Sequence, residues 1–405
     1  MLFNYLNFDI VSNFDIRISD FKIFMSIKIL FTGGGTGGHI YPIIAIAEEF
    51  KNFKEEIELY YFGAPGTFRK ILEENGIRVS KIISAKLRRY FDVRNFIEIP
   101  ILLPLSIIQA FWKVFWLMPD VLFSKGGPGS LPVVLACWFY RVPIIIHDSD
   151  AVPGLANKLA AKYAKRIGIS FESAADFFPE KTKNKIALLG NPIRRSLFEG
   201  EILEQGTAKK IFGFNPEKPL ILIIGGSQGA AAINDFMLEI SGELTKDWQI
   251  LHQTGFKNFE SVRKESGMVL KNYPEEQRAR YKIVSYFEKD LKDAYTAADL
   301  VISRASSGSI FEISAFGKPS ILIPLPSEVV GVHQIKNAYE YAKTGAAIVV
   351  EQENLTPNVF MAQIKKLFSE PEKLKIMSEA AKNFSKPEAA KIIAEEIIKL
   401  KQKAD

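Results

Sequence analysis

The sequence predicts an α/β protein with two domains, each built on a parallel β-sheet. Two strand–turn–helix units of the same design carry this prediction. In the first unit, the apolar run 27–31 enters a glycine-rich turn at 33–38, and a helical pattern follows from Pro42. In the second unit, the run 219–224 enters the glycine-rich turn 225–230, and another helix follows. Short apolar runs of this kind are typical of strands buried on both faces of a parallel sheet, and 405 residues suffice for two cores.

The first half of the chain continues as alternating strands and helices. The predicted strands are 57–62, 79–83, 119–124 and 143–147, and helices are predicted at 67–75, at 105–116, up to Tyr140 and from Leu155. Polar turns follow two of these strands, at 126–130 and 147–154. Because open α/β sheets bind ligands at the carboxyl ends of their strands, both turns are candidate parts of a site.

The second half repeats this plan after a break. Gly, Asn and Pro at 190–192 end the first pattern, and the polar stretch 199–206 is consistent with a linker. The predicted strands are 249–252, 282–285, 299–303 and 321–324, and the last predicted helix is 389–401. The repeated glycine turn favours two similarly built domains over one large sheet.

The first 25 residues differ from the rest of the chain. They hold scattered aromatic and acidic residues without a basic region followed by an apolar one, so they do not predict a signal peptide. We expect residues 1–25 to be a non-native or disordered extension with Met25 as the true start, which mass spectrometry of the native N-terminus can test. The single cysteine, Cys137, lies in an apolar helical run and is predicted to be a core residue in a reducing compartment.

Composition and the segment 86–118 suggest an anionic partner. The net charge of +6 suits an anionic substrate or membrane surface, and no nucleic-acid recognition module is present. Basic residues precede a stretch without charge at 99–112, and aromatic residues then recur at helical spacing. One hypothesis packs this helix and its aromatic stripe into the core, and the other docks it on a membrane interface. Both can hold for different faces, but prolines and Lys113 interrupt the run and argue against a transmembrane helix.

The first glycine turn predicts an anion site. A strand, a glycine turn and a helix aim backbone N–H groups and the positive end of the helix at a bound anion. We expect glycine here both because side chains would block close approach and because some positions need positive φ. The alternatives are a dinucleotide site, with Glu58 at the usual distance but without the Gly-x-Gly-x-x-Gly spacing, or merely a tight turn. His39 lies at the mouth of the turn, which a bare turn does not require.

Several motifs together resemble one family, the MurG glycosyltransferases, which transfer N-acetylglucosamine from UDP-N-acetylglucosamine to lipid I. They occur in order at 33–39 (GGGTGGH), 190–194 (GNPIR), 225–230 (GGSQGA), 252–255 (HQTG), 311–313 (FEI) and 333–338 (HQ followed by NA). The resemblance covers nearly all of 27–397. It implies the GT-B fold, in which two Rossmann-like domains with parallel sheets face a central cleft. It also implies an inverting transfer to the C4 hydroxyl of N-acetylmuramic acid that forms lipid II for peptidoglycan.

The resemblance also assigns the domains. Residues 26–193 would form the acceptor- and membrane-binding domain, completed by a C-terminal helix within 380–405, and residues 194–379 would bind the UDP-sugar. The enzyme would then be peripheral, on the cytoplasmic side of the cell membrane, with 86–118 as its docking surface. Its partners would be UDP-N-acetylglucosamine, an undecaprenyl-linked acceptor and the anionic membrane surface, with no nucleic acid.

Individual site residues follow from the same motifs. The expected donor-binding residues are Arg194, Ser227, Gln228, Glu312, His333, Gln334 and Asn337. The expected acceptor-binding residues are Gly34, Gly35, Thr36, Gly37, Gly38, His39 and Asp150. Glu312 would accept the ribose hydroxyl protons, although an early-helix acid is also favoured by the helix dipole alone.

His39 is the candidate general base, because imidazole titrates near neutral pH. The alternative is that His39 binds the acceptor diphosphate without taking a proton. No cofactor is expected, and the resemblance to GT-B enzymes implies no catalytic metal. A metal at His147, Asp148 and Asp150 is conceivable but has no further ligand cluster beside it.

The acceptor side departs from the family pattern. The family usually has His-Glu-Gln-Asn where this chain has His-Asp-Ser-Asp at 147–150, and an aromatic residue where this chain has Pro128. An extra acid at Asp150 would disfavour an anionic acceptor unless it is paired or protonated. The competing hypotheses are a GT-B transferase acting on another lipid such as diacylglycerol, a nicotinamide-dependent dehydrogenase, and a non-catalytic sugar-nucleotide binder.

Overall fold

The computed structural model describes residues 26–83, 94–225, 230–287, 289–330 and 332–403. The expectations for residues 1–25, for the basic cluster at 86–89, and for Ser227 and Gln228 concern positions outside the described residues. The strands are β1 (Ile27–Thr32), β2 (Ile57–Gly63), β3 (Ile77–Lys81), β4 (Val121–Ser124), β5 (Ile144–Asp148), β6 (Arg166–Ile169), β7 (Ile186–Leu188), β8 (Leu220–Ile224), β9 (Gln249–Gln253), β10 (Tyr281–Val284), β11 (Leu300–Ser303), β12 (Ser320–Leu322) and β13 (Ala347–Val349).

Helices separate most of these strands. They are α1 (Gly37–Glu49), α2 (Arg69–Glu74), α3 (Arg94–Leu117), α4 (Ser130–Phe139), α5 (Leu155–Ala160), α6 (Gln205–Ile211), α7 (Ala231–Asp247), α8 (Phe259–Val269), α9 (Glu275–Arg278), α10 (Leu291–Ala297), α11 (Ser307–Ala315), α12 (Ser327–Val330), α13 (His333–Ala342), α14 (Pro357–Ser369), α15 (Pro371–Phe384) and α16 (Ala389–Gln402).

The described strands form two parallel sheets of the same design. The first has the order β3-β2-β1-β4-β5-β6-β7, and the second has the order β10-β9-β8-β11-β12-β13. In each sheet the chain starts in the middle, moves to one edge, and then returns to the other side of its first strand. This reversal creates a crevice between β1 and β4, and another between β8 and β11, where such sheets bind ligands.

The first helix begins earlier than its apolar pattern predicts. Helix α1 starts at Gly37, not near Pro42, and extended backbone at Thr36 precedes it. The Thr36 carbonyl accepts from the backbone N–H groups of His39 and Ile40. The sequence pattern did not predict this first turn, because it contains Gly37 and Gly38 and glycine is a poor helix former. The helix therefore carries His39 in its first turn.

The final helix crosses back to the first sheet. Helix α15 packs on the second domain, where the ring of Phe384 lies 5.0 Å from that of Phe311. Helix α16 then begins at Ala389, and its apolar face, which includes Ile393 and Ile397, joins the core around β1 and α1. Burial of this face, at roughly 1.5–3 kcal/mol for each large apolar side chain, holds the C-terminus against the first domain.

Helix α3 buries its small side chains and exposes its aromatic ones. Ser106, Ala110 and Val114 are at most 1% exposed, whereas Trp112 is 64% and Trp116 is 68% exposed. The hypothesis that the aromatic stripe packs into the core is therefore wrong, because small residues form the face that approaches α4. The helical period that places them inward turns the aromatic residues outward. Cys137, on α4, is fully buried in the same cluster, as predicted.

Candidate active site

A cavity of about 760 Å³ lies at the carboxyl ends of the first sheet and reaches the second domain. Its first wall consists of the turn before α1, the turn after β4 and the loop after β5. Its second wall consists of the starts of α11 and α13, at Ser307 and His333. The sheet ends therefore bring His39 and Asp150 of the first domain to the same space as His333 and Gln334 of the second.

Close approach, not positive φ, explains Gly34 and Gly35 of the first turn. A Cβ at Gly35 would lie 2.4 Å from the backbone oxygen of Ala64, and a Cβ at Gly34 would lie 2.9 Å from Nδ1 of His39. None of the glycines between 33 and 38 has positive φ, so the expectation that some need it is wrong. The left-handed backbone lies instead in the second turn, at Gly126, Gly127 and Gly129. These two turns touch, since a Cβ at Gly127 would lie 3.0 Å from both Gly34 N and His39 Nε2.

His39 is held as a neutral imidazole. Its Nδ1 lies 2.8 Å from the Thr36 hydroxyl. The pKa of His39 is lowered to about 4, chiefly by burial and also by the Lys125 charge, while the Asp150 charge partly opposes the shift. The expectation that this imidazole titrates near neutral pH is therefore wrong. A neutral imidazole can still accept a proton, but its driving force for doing so is smaller than that of a base with a pKa near 7.

A buried hydrogen-bond chain lies beneath the two glycine turns. The Lys125 ammonium donates to His147 Nδ1 over 2.5 Å and to Asn191 Oδ1 over 3.1 Å. His147 Nε2 donates to the Gly190 carbonyl oxygen over 2.8 Å, so its Nδ1 is the unprotonated nitrogen. The Ser149 hydroxyl donates to the same Asn191 oxygen over 2.8 Å. Because both nitrogens of His147 have protein partners, it is a structural residue of the site and not a metal ligand.

Asp148 is a structural acid beside this chain. Its carboxylate accepts from the side chain of Asn157 and from the backbone N–H groups of Asp150 and Gly154. Burial raises the pKa of Asp148, the nearby Asp150 charge adds to this rise, and the hydrogen bonds oppose it. Among the described residues, no group of three or more His, Cys, Asp or Glu side chains is arranged around a metal position.

Asp150 is paired across the domain interface. Its Oδ1 accepts from Asn337 Nδ2 over 2.8 Å, and the Asn337 oxygen accepts from the backbone N–H of Ala151 over 2.8 Å. His333 Nδ1 donates to the Val152 carbonyl oxygen over 3.0 Å and lies 3.7 Å from Asp150 Oδ2. The departure of Asp150 from the family pattern is thus met by two polar partners on α13. Asn337 is fully buried and its amide bridges the domains.

The second group of polar residues lies around α11. The Ser306 hydroxyl caps this helix by accepting from the backbone N–H of Ser309. The Ser307 hydroxyl is buried, lines the cavity and has no partner among the described residues. Such unpaired buried hydroxyls are uncommon and suggest that a ligand supplies the partner. The Gln334 side chain, in contrast, accepts from the backbone N–H of Leu325 over 3.1 Å.

Glu312 lies on the same helix, outside the lining of the cavity that the described residues form. It accepts from the Tyr295 hydroxyl over 3.2 Å. Burial raises the pKa of Glu312, and the Arg194 charge and this hydrogen bond oppose the rise. The Arg194 guanidinium lies over the ring of Tyr41, 4.9 Å from its centre, and its Nε is buried without a partner among the described residues. Arg194 thus connects α1 with the region of Glu312.

The sequence interpretation missed two residues of this site. Lys125 follows β4 directly and is 3% exposed, and Asn157 carries a buried oxygen without a partner among the described residues. Both line the cavity. A lysine between a buried strand and two glycines is itself a signal, because a charged side chain at that point must be buried or face a ligand.

Comparisons with known proteins match both halves of the chain. Residues 29–169 match the family model of the glycosyltransferase family 28 N-terminal domain, and residues 220–393 match that of its C-terminal domain. Over 350 residues the chain is 38% identical to the UDP-N-acetylglucosamine--N-acetylmuramyl-(pentapeptide) pyrophosphoryl-undecaprenol N-acetylglucosamine transferase 2 of Bacillus cereus, covering 86% of this chain and 93% of that protein. This chain belongs to the MurG family. The transferase of the same name from Legionella pneumophila is 35% identical over 351 residues, covering 86% of this chain and 91% of that protein.

Solved structures place the MurG-family chain in the GT-B fold, as predicted. The MurG crystal structure from Acinetobacter baumannii matches with a TM-score of 0.70 at 24% identity, covering 92% of this chain and 99% of that one. CalG4, the calicheamicin glycosyltransferase, matches with a TM-score of 0.66 at 13% identity, covering 93% of this chain and 98% of that one. The dehydrogenase hypothesis is therefore wrong, and the chain is a glycosyltransferase.

Proposed function

We propose that this chain transfers N-acetylglucosamine from UDP-N-acetylglucosamine to the C4 hydroxyl of the N-acetylmuramic acid of lipid I, forming lipid II for peptidoglycan. The observation that carries the proposal is the cavity shared by the two domains. It joins His39 and the glycine turns of the first domain to the starts of α11 and α13 in the second. An acceptor on one wall and a sugar nucleotide on the other would meet within it.

The donor belongs to the second domain in this proposal, with residues 194–379 as that domain. The positive end of α11 and the unpaired Ser307 hydroxyl suit the diphosphate of the leaving UDP. Arg194 adds a fixed charge with an unpaired Nε, and Glu312 accepts the ribose hydroxyls. The remaining proposed donor residues are Ser227, Gln228, His333, Gln334 and Asn337. Asn337 acts by holding α13 against the first domain.

The acceptor belongs to residues 26–193 with the crossover helix. The acceptor side of the cavity is formed by Asp150 and by the backbone from Gly34 to Gly38, which line the cavity or border it. In this proposal His39 is either the proton acceptor or a ligand of the acceptor diphosphate. In the first role, Nδ1–H donates to Thr36 and Nε2 takes the proton of the C4 hydroxyl. The C4 oxygen then bonds to the anomeric carbon from the side opposite UDP, and the C1–O bond to UDP breaks with inversion.

The outer face of α3 supports membrane docking through 86–118. Ile108, Trp112, Phe115 and Trp116 are each at least half exposed. Around them, Trp138 and Phe139 of α4 are exposed as well. Exposed apolar patches of this kind mark interaction sites, and aromatic residues are favoured at the headgroup level. Leu103 of the same helix lines the cavity together with Leu155 and Leu159 of α5. In the described part of the chain, no helix combines the length and apolar character needed to span a bilayer. From the exposed aromatic patch, not from this absence, we propose that the enzyme is a peripheral protein on the cytoplasmic membrane face.

The decisive experiment measures UDP release from UDP-N-acetylglucosamine with three acceptor conditions. Lipid I should stimulate release strongly, and diacylglycerol should leave it at the rate without acceptor. If diacylglycerol stimulates UDP release and lipid I does not, the proposal is wrong and the chain is a GT-B transferase that acts on another lipid. If the chain binds UDP-N-acetylglucosamine tightly but releases no UDP under any of the three conditions, it is a non-catalytic sugar-nucleotide binder.

A further inference from the structure

Lys125 is a buried cation, and the proposed function gives it no role in binding or catalysis. Its ammonium donates to His147 and Asn191, both of them neutral acceptors. An ammonium has three N–H donors, so these two bonds leave one donor without a partner among the described residues. Within the described part of the chain, no carboxylate oxygen lies within 4.0 Å of its nitrogen. A buried cation without a contacting anion is costly unless a ligand supplies one.

Lys125 lies on the side of the cavity that the proposed function gives to the acceptor. It follows β4 at the crevice between β1 and β4, and its backbone N–H donates to the Thr32 carbonyl at the end of β1. Its side chain lines the cavity together with His39, Gly127 and Gly129. Apolar side chains, among them Leu103 and Leu159, line the same cavity. Lys125 thus borders a cavity that offers both polar groups and apolar surface.

We propose that Lys125 binds the diphosphate that links the sugar of the acceptor to its lipid, and thereby selects an acceptor that carries this anion. The inference rests on the proposed function, because lipid I carries a diphosphate between its sugar and its lipid. A neutral lipid such as diacylglycerol offers no counter-charge to a buried ammonium. The glycines of the two turns supply the space in which the phosphate oxygens approach the backbone.

The charges around Lys125 predict how its binding depends on pH. Burial lowers the pKa of Lys125 to about 7, while Asp148 and Asp150 oppose the shift. The other facing groups are His39 and His147, and burial lowers the pKa of both below the neutral range. An anion binds the protonated amine, so acceptor affinity should fall as pH rises above about 7. The bound diphosphate should in turn raise the pKa of Lys125, so that binding takes up a proton.

The test compares wild type with Lys125→Met, which removes the charge and keeps the length of the side chain. Two N-acetylmuramic acid acceptors are used, one linked to its prenyl chain by a diphosphate and one by a monophosphate. We expect the KM for the diphosphate acceptor to rise about tenfold or more in the variant. The KM for the monophosphate acceptor should change less, and that for UDP-N-acetylglucosamine should stay the same. The decrease in acceptor kcat/KM above pH 7 should disappear.

A second readout does not depend on catalysis. Calorimetry of geranylgeranyl diphosphate binding at pH 8, in buffers of different ionisation enthalpy, should show proton uptake by wild type and none by Lys125→Met. If wild type binds this diphosphate with proton uptake but transfers nothing to lipid I, the proposed function fails and the inference on Lys125 stands. Equal diphosphate affinity and equal proton uptake in the two proteins would overturn the inference.

Lys318→Met is the matched control. Lys318 is another lysine whose pKa burial lowers, to about 8, but its ammonium donates to the carbonyl oxygens of Thr296 and Ala298, away from the cavity. This variant should lose stability without changing the acceptor KM or its pH dependence. Lys125→Gln serves if the methionine variant does not fold, because it removes the charge and keeps a polar donor, although on a shorter side chain. The same changes in acceptor KM are expected for it.

Discussion

The two domains place a buried basic residue at the same point of the same topology. Lys125 follows β4, which pairs with β1, and Arg304 follows β11, which pairs with β8. Arg304 is 6% exposed, and its guanidinium donates to the carbonyl oxygens of Ile323 and Pro324 and to Gln352 Oε1. These bonds tie the loop after β12 to the sheet, while the Arg304 Nε is buried without a partner among the described residues. Lys125 lines the cavity and keeps a donor for a ligand.

The comparison of Lys125 with Arg304 shows that the topology determines the position of a buried charge, whereas the chemistry of the side chain determines its role. A guanidinium has five donors in a planar fork and can be satisfied by several carbonyl oxygens at once. Burial lowers the pKa of Arg304 only to about 10, so its charge is constant under physiological conditions. An ammonium is a point charge whose protonation changes readily on burial. The first domain thus holds a charge that can respond to a ligand, and the second holds a fixed structural one.

Replacement of His39 tests the catalytic part of the first domain and should have the largest effect. If His39 is the base, His39→Ala should lower kcat by about 10²–10⁴-fold at saturating acceptor. Steady-state kinetics with lipid I and UDP-N-acetylglucosamine measure this. Near-normal kcat with a raised acceptor KM would contradict the base role and make His39 a ligand of the acceptor.

Replacement of Arg304 sharpens the contrast between the two basic residues. Arg304→Met leaves three oxygen acceptors short of a donor, two of them buried, so the free energy of unfolding should fall by about 2–4 kcal/mol. Denaturant unfolding measures the loss. The acceptor KM of the folded fraction and its dependence on pH should match wild type. A pH effect like that expected for Lys125→Met would remove the distinction between the two positions.

Replacement of Glu312 tests the donor side. Glu312→Gln should raise the KM for UDP-N-acetylglucosamine by about 10–100-fold, because a charged hydrogen bond to the ribose is worth about 1.5–3 kcal/mol. Since burial raises the pKa of Glu312, wild type should lose donor affinity as pH falls through that pKa, and the variant should not. Donor KM measured from pH 4 to 7 tests this. An unchanged donor KM together with a raised acceptor KM would contradict the assignment.

Replacement of exposed aromatic residues should have the smallest effect per site. Trp112→Ser should weaken binding to anionic vesicles by about tenfold, because burial of a large apolar side chain contributes roughly 1.5–3 kcal/mol. Vesicle co-sedimentation measures the binding. Ile376→Ser, at a side chain 61% exposed on α15 of the second domain, is the control and should bind as wild type does. Equal losses in the two variants would mean that α3 is not a specific docking surface.

Local signals in the sequence predicted much of this molecule. Ten of the described strands, the two glycine turns and the repeated plan of the second half follow from short apolar runs and glycines, which act within a few residues. The short strands β6, β7 and β13 were not predicted. His39 and His333 were identified by motif, and the structure brings both to one cavity. Cys137 was placed in the core correctly, since an apolar run leaves it little choice.

Contacts between distant parts of the chain were decided by the tertiary structure alone. Asp150 meets Asn337 across 187 positions, and Lys125 meets Asn191 across 66. Neither pairing has a local pattern, because it depends on how two sheets and their loops pack. The sequence left the inward face of α3 open for the same reason, since the helical period defines two faces and only the neighbouring α4 selects one. The sequence by itself determined the two sheets and their glycine turns, through forces that act between neighbours along the chain. Only the folded arrangement decided which charges are paired, which are left for a ligand, and which apolar face meets solvent.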